Sequence, residues 1–175
     1  MKDHIKQFLN STDKVMLIPH DKGSNVIHEL RRVRTPSRIV FNFLVMQGCK
    51  IIPSVRIKHF VYTYVLGMNV GKNVGFAIID VDPFLPELIT IEDNATIGWG
   101  ARLLSHEYTQ KSVRVGRINI GKCALVGAFS TVRSGVTIGE NSIVAMNSLV
   151  NKDIPPNELW GGVPAKRIRK LKEPI

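Results

Sequence analysis

The feature that most constrains this chain is an aliphatic residue that returns every sixth position. Read from Ile120, the series runs Ile120, Val126, Val132, Ile138, Val144 and Val150, and the fifth position of each block is mostly small: Ala124, Ser130, Val136, Ser142, Ser148. Isoleucine, valine and leucine make up 51 of the 175 residues. At that frequency six hits in one phase would arise by chance about six times in ten thousand. An earlier block in a second phase starts at Ile91, Ile97 and Leu103, and a looser one at Val70 and Phe76. A helix needs apolar residues about every 3.6 positions and a plain sheet about every second one, so a period of six beside glycine describes short strands separated by turns. Three such strands close an 18-residue coil, placing Ile120 under Ile138, Val126 under Val144 and Val132 under Val150. The result is an aliphatic column inside a prism, with small residues at its corners.

Two interruptions break the stack. Recovering the phase after Leu103 requires an insertion of 11 residues within Glu107 to Ile118. The other, DPFLPEL from Asp82 to Leu88, carries Pro83 and Pro86, which disfavour a continuing inner strand. Of the 14 glycines, 12 lie at or after Gly67, which divides the chain into an N-terminal segment, 1–66, and a repeat domain, 67–175, with a basic tail. In the first, Thr35-Pro36 and Gly48 bound SRIVFNFLVMQ as one helix, and Pro53 to Gly67 bracket VRIKHFVYTYVL as a second. HDKGSN reads as a loop. The two helices are expected to cap the open end of the prism, where an aliphatic coil and free strand edges would otherwise face water. The alternative is a basic amphipathic surface resting on anionic lipid or an acidic polymer.

The chain carries 24 Lys and Arg against 14 Asp and Glu, with 11 basic and 4 acidic residues in 1–66. No helix-turn-helix, zinc-finger or RNP-type pattern accompanies that charge, so nucleic acid is not the expected partner. No apolar run reaches the roughly 20 residues of a spanning helix, and MKDHIKQFLNSTDK has no hydrophobic leader region. Cys49 and Cys123 stand far apart, giving neither a disulfide framework nor a cysteine zinc site. A soluble cytoplasmic protein is the expectation. Cys123, inside the repeat, is expected to face the core and stay inert.

The repeats, the ending IGENSIVAMNSLVNKDIPPNELWGGVPAKRIRKL and a single histidine before a loop resemble the hexapeptide-repeat acyltransferases, the group of maltose, galactoside and xenobiotic O-acetyltransferases. The likeness covers about Val70 to Leu171. It implies a mainly β fold, a left-handed parallel β-helix with an N-terminal helical cap segment, assembled as a homotrimer. It implies acetyl-CoA as co-substrate and a hydroxyl-bearing small molecule or saccharide as acceptor.

Transfer of an acyl group from a thioester to a hydroxyl needs a base for the hydroxyl proton and a site for the carrier. His4, His20, His28 and His59 precede the repeat and His106 alone lies within it. One repeat histidine cannot build the three-histidine zinc site of the carbonic anhydrases that share this fold, and no metal is expected. His106 in LLSHEY resembles the family's catalytic histidine. Asp80 and Asp82, on the preceding coil, are the candidates to orient it. Glu107 ranks lower, because on a strand it points away from His106. By resemblance Ala128 and Met146 hold the pantetheine-lining positions, and Asn151, Lys152, Lys166 and Arg169 the nucleotide positions. The function expected is an acetyl-CoA-dependent O-acetyltransferase acting on a sugar or similar polyhydroxy compound. A non-catalytic β-helix scaffold is the alternative.

Overall fold

The computed structural model describes residues 3–19 and 33–172, so the HDKGSN loop lies outside the described residues. Strands are numbered β1 to β17 and α-helices α1 to α3 in chain order. The repeat forms a three-sided prism of parallel sheets. One side stacks β2 (Asn69–Val70), β5 (Ile89–Ile91), β10 (Ile118–Ile120) and β13 (Thr137–Ile138). The second stacks β3 (Gly75–Phe76), β6 (Thr96–Ile97), β11 (Leu125–Val126), β14 (Ile143–Val144) and β16 (Glu158–Gly161), closed by antiparallel β17 (Lys166–Lys170). The third stacks β4 (Asp80–Val81), β7 (Arg102–Leu103), β12 (Thr131–Val132) and β15 (Leu149–Val150).

The register is the one the period dictates: Ile120 lies against Ile138, Val126 against Val144, and Val132 against Val150. The earlier coils continue the columns, Val70 to Ile91 to Ile120 and Phe76 to Ile97 to Val126. The third column begins at Val81, five residues after Phe76, so the first coil is one residue short on that side. Apart from Val70 and Phe76, at 9% and 6%, and Val81, at 2%, these inward residues are at most 1% exposed.

The small residues do not make the turns. Ala124, Ser130, Val136, Ser142 and Ser148 point inward and are buried, and the chain turns one residue earlier, in the left-handed region. One corner stacks Asn73, Asn94, Cys123, Asn141 and Asn157 at φ 55 to 60°, a conformation asparagine tolerates better than most side chains. The expectation that Cys123 faces the core therefore fails. It occupies a turning position, half-buried, with its side chain directed away from the core that Ala124 enters. The buried serine hydroxyls bond backbone carbonyls: Ser130 Oγ to Ala145 O at 2.9 Å and Ser142 Oγ to Pro155 O at 2.7 Å. Gly127 is required by close approach, since a Cβ there would stand 2.6 Å from Met146 N.

Helix α2 (Pro36–Ile51) starts at the proline as read, but it runs through Gly48. Space is open around Gly48, and the helix ends where Pro53 favours extended backbone at Ile52. Helix α3 (Val55–Phe60) is N-capped by Ser54 and continues as a π-helical turn, Val61–Val65, stopped by Gly67 at φ 78°. Arg38 Nη2 donates to Val65 O at 2.9 Å, so α2 and α3 with its π turn form a hairpin. Met46, Cys49, Tyr62 and Leu66 carry its inner face into the main core, where Tyr62 meets Phe76 edge to face at 5.0 Å. Burial pushes the Cys49 thiol pKa up.

The 11-residue insertion is a hairpin, β8 (His106–Tyr108) and β9 (Ser112–Gly116). Residues 3–19, for which the sequence pattern assigns no helix or strand, complete it. Strand β1 (Val15–Pro19) pairs antiparallel with β9, and α1 (Asp3–Asn10) packs Ile5 and Phe8 against Val113, Val115, Leu85 and Leu88 in a second core. Arg117 holds this arm down by donating to the carbonyls of Phe8, Leu9, Ser11 and Asp13 at 2.8 to 3.1 Å. Ile97, fully enclosed in the central column, tests the prism as a single cooperative core. Ile97→Ala is expected to lower unfolding free energy by about 2–5 kcal/mol in urea titrations.

Candidate functional site

Both interruptions leave the prism from the third side, just after its strands end. Asp82 follows β4, with its N–H bonded to Leu103 O at 3.0 Å, and His106 follows β7 to open the β8–β9 hairpin. Asp82 is fully buried and uses both carboxyl oxygens. Oδ1 accepts from the Phe84 backbone N–H at 2.8 Å, and Oδ2 accepts from the His106 backbone N–H at 2.8 Å and from Nδ1 at 2.5 Å. A carboxylate is an acceptor, so Nδ1 carries the imidazole proton and Nε2 keeps its lone pair. The ring lies between Phe84, centroid 4.2 Å away, and Tyr108, edge-on at 5.1 Å. An oriented, half-buried imidazole with a free lone pair is equipped to accept a proton.

Of the two candidate aspartates the structure brings only Asp82 to His106. On β4 the inward position belongs to Val81, so Asp80 faces outward, where it pairs with Lys50 Nζ of α2 at 2.5 Å. Glu107 points away from His106 as read. It accepts from Arg133 Nε at 2.8 and 2.9 Å and from Ser134 Oγ at 2.5 Å. Behind it, a groove of about 320 Å³ crosses the third side, lined by Leu104, Glu107, Thr131, Arg133, Leu149 and Asn151. Asn151 Oδ1 is buried without a hydrogen-bond partner. Ala128 is half-buried and Met146 is exposed where the second and third sides meet, while Lys152 and, on β17, Lys166 and Arg169 are exposed. Trp160 packs on the core and donates from Nε1 to Glu158 at 2.7 Å. Among the described residues no three His, Cys, Asp or Glu side chains gather as a metal-binding group. None of the described helices is long and apolar enough to cross a membrane.

Phe84 and Tyr108 were not singled out in the sequence, although each lies inside or beside an interruption of the repeat. Tyr108 Oη is buried and unbonded, and burial, with the Asp82 charge second, pushes its pKa up to about 12. It therefore stays a hydrogen-bond donor throughout the neutral range.

A family model described as bacterial transferase hexapeptide (six repeats) matches residues 117–152. A Bacillus subtilis protein, YvoF, whose acetyltransferase name is itself provisional, is 33% identical over 152 residues, spanning 86% of this chain and 88% of its own. The galactoside O-acetyltransferase of Escherichia coli is 30% identical over 118 residues, 64% of this chain and 58% of its own. In the solved structures, a hexapeptide-repeat acetyltransferase of Vibrio cholerae superposes with TM-score 0.64 at 18% identity, over 96% of this chain and 99% of its own. A galactoside acetyltransferase in complex with coenzyme A gives TM-score 0.63 at 22% identity, over 85% and 92%. These likenesses imply the left-handed coil. The chain belongs to the hexapeptide-repeat acetyltransferases, and it is an enzyme of that class.

The environment of Tyr108 can be read directly. Ultraviolet difference titration is expected to show two of the three tyrosines, Tyr62 and Tyr108, ionising well above the usual tyrosine range, one of them lost in Tyr108→Phe.

Proposed function

We propose that the protein is an acetyl-CoA-dependent O-acetyltransferase in which His106 is the general base, acting on a hydroxyl of a sugar or similar polyhydroxy compound. The observation that carries this reading is the buried Asp82 bonded to His106 Nδ1, which leaves Nε2 free. In the reaction, Nε2 removes the acceptor hydroxyl proton as the oxygen attacks the thioester carbonyl. The tetrahedral intermediate then collapses, the C–S bond breaks, and the departing thiolate of coenzyme A takes the proton back from the imidazolium. Asp82 holds the tautomer and offsets the transient positive charge.

The groove and the exposed strip beside it support a carrier path: Ala128 and Met146 along the pantetheine arm, Asn151 and Lys152 beyond it, Lys166 and Arg169 toward the phosphates. The unpartnered Asn151 oxygen suits an amide N–H of the arm. The coenzyme-bound galactoside acetyltransferase and the Escherichia coli relative, named for galactoside O-acetylation, support the carrier and the acceptor class. Within the N-terminal segment, 1–66, the α2–α3 hairpin is read as the cap, while residues 3–19 join the hairpin beside His106, and 67–175 is read as the transferase body. Exposed Trp99, Phe129 and Met146 suit a homotrimer whose neighbouring subunit walls the site.

Steady-state kinetics with acetyl-CoA, free-thiol detection and a panel of sugars tests this function. His106→Ala should lower kcat by at least about a hundredfold, and Asp82→Asn by at least about tenfold, while Asp80→Asn stays within about twofold of wild type. Near wild-type turnover in His106→Ala, or thiol release with no acceptor in the panel, would remove the proposal. For the carrier, Lys166→Ala combined with Arg169→Ala is expected to weaken coenzyme A more than dephospho-coenzyme A, by about tenfold or more in calorimetry.

A further inference from the structure

Of 15 large apolar side chains exposed among the described residues, nine lie between Val40 and Tyr64. They follow the helical period on the outer side of the hairpin. On α2, Val40, Leu44 and Ile51 are exposed in one stripe, opposite the buried Asn42, Met46 and Cys49. On α3 and its π turn, Ile57, Phe60 and Tyr64 form a second stripe, with Tyr62 and Leu66 buried beneath. The inner faces of both helices enter the same core against the first coil, so both stripes face away from the prism. A surface helix normally turns charge to water, and here it turns leucine and phenylalanine.

Charge tells what such a surface meets. From Leu30 to Ile79 the sequence has eight Lys and Arg and no Asp or Glu. Arg34 and Lys50 are paired with Glu87 and Asp80, and Lys58 is buried on Ala77 O. Arg56 and Lys72 face solvent, and Arg38 stands over the Phe41 ring at 5.1 Å. Two copies meeting through this face would set cation against cation with no acid of the segment between them. A soluble polyanion would satisfy the cations and leave the apolar stripes in water. A bilayer surface satisfies both.

We propose that the outer face of the α2–α3 hairpin docks on an anionic lipid surface, seating Val40, Leu44, Ile57 and Phe60 at the boundary of headgroups and acyl chains, with Arg56 among the headgroups. The helices lie along the surface and the prism stands off it. Cyclic symmetry would put every subunit's hairpin at the same end, so an assembly would engage several at once.

Flotation of the full chain on sucrose gradients, with vesicles of phosphatidylcholine alone or with added phosphatidylglycerol, tests this. Recovery with the anionic vesicles is expected to exceed recovery with the neutral ones by at least about tenfold, and to fall as salt is raised. Leu44→Gln with Phe60→Gln, both at exposed positions, is expected to cut recovery by at least about tenfold with the unfolding temperature kept. The contrast between the two vesicles in wild type stands as a test without the variant. Equal recovery on both vesicles, or none on either, overturns the proposal. So does a double variant that floats like wild type, or one whose mass by light scattering falls, since the face would then be covered by another subunit. Polyphosphate bound equally by wild type and double variant, without flotation, would assign the cations to a soluble polyanion and also overturn it.

Discussion

The structure depends on one backbone requirement: a chain that packs an aliphatic side chain inward every six residues has to turn sharply between those side chains. The turns are made at left-handed residues stacked in columns, and each column is tied by its own ladder, such as Asn94 N–H to Lys72 O, Cys123 N–H to Asp93 O and Asn141 N–H to Lys122 O at 2.9 to 3.0 Å. Asparagine and glycine fill most of these positions because their backbones enter that region at small cost. Phe129 is an exception, at φ 59° with its ring beside Gly100, where any Cβ would strike it. Once the turns are fixed, the inward residues have no freedom except to stack, and the core follows.

The chemistry sits where this regularity is broken. A regular coil would continue straight through Asp82 and His106. The two interruptions instead turn the chain outward at one edge, so a carboxylate can be buried beside the prism without entering its aliphatic interior. A second core, built from α1, β1, the hairpin and the Leu85–Leu88 turn, then excludes water from the aspartate. Burying an unbonded carboxylate would be very costly, and Asp82 meets the condition for burial by accepting three hydrogen bonds. The same bonds set the histidine's orientation.

The prism was legible because its inward positions admit few residue types and recur. Val81 escaped that reading because the side is one residue short and Asp82 falls in phase instead. The choice between Asp80 and Asp82 was open for the same reason: it rests on where β4 ends, a matter of one residue that a repeat averages away. The run through Gly48 was hidden by tertiary context, since glycine stops a helix only where the chain turns. Least legible was the role of residues 3–19. Val15 lies opposite Gly116, a pairing set by packing at long sequence separation that no local pattern in VMLIP announces. His106 and its neighbourhood were visible as a break in phase, while Phe84 and Tyr108 became functional candidates only through their contacts with the ring.

The Arg117 clamp has a temporal consequence. Its guanidinium gathers carbonyls from Phe8 to Asp13, the first turn-out of the chain, more than 100 positions away in sequence. During synthesis the first two coils can wind before Arg117 exists, but the arm has nothing to hold until β9 has been made. The pocket wall around His106 is therefore assembled late, by earlier-made residues folding back over later-made ones.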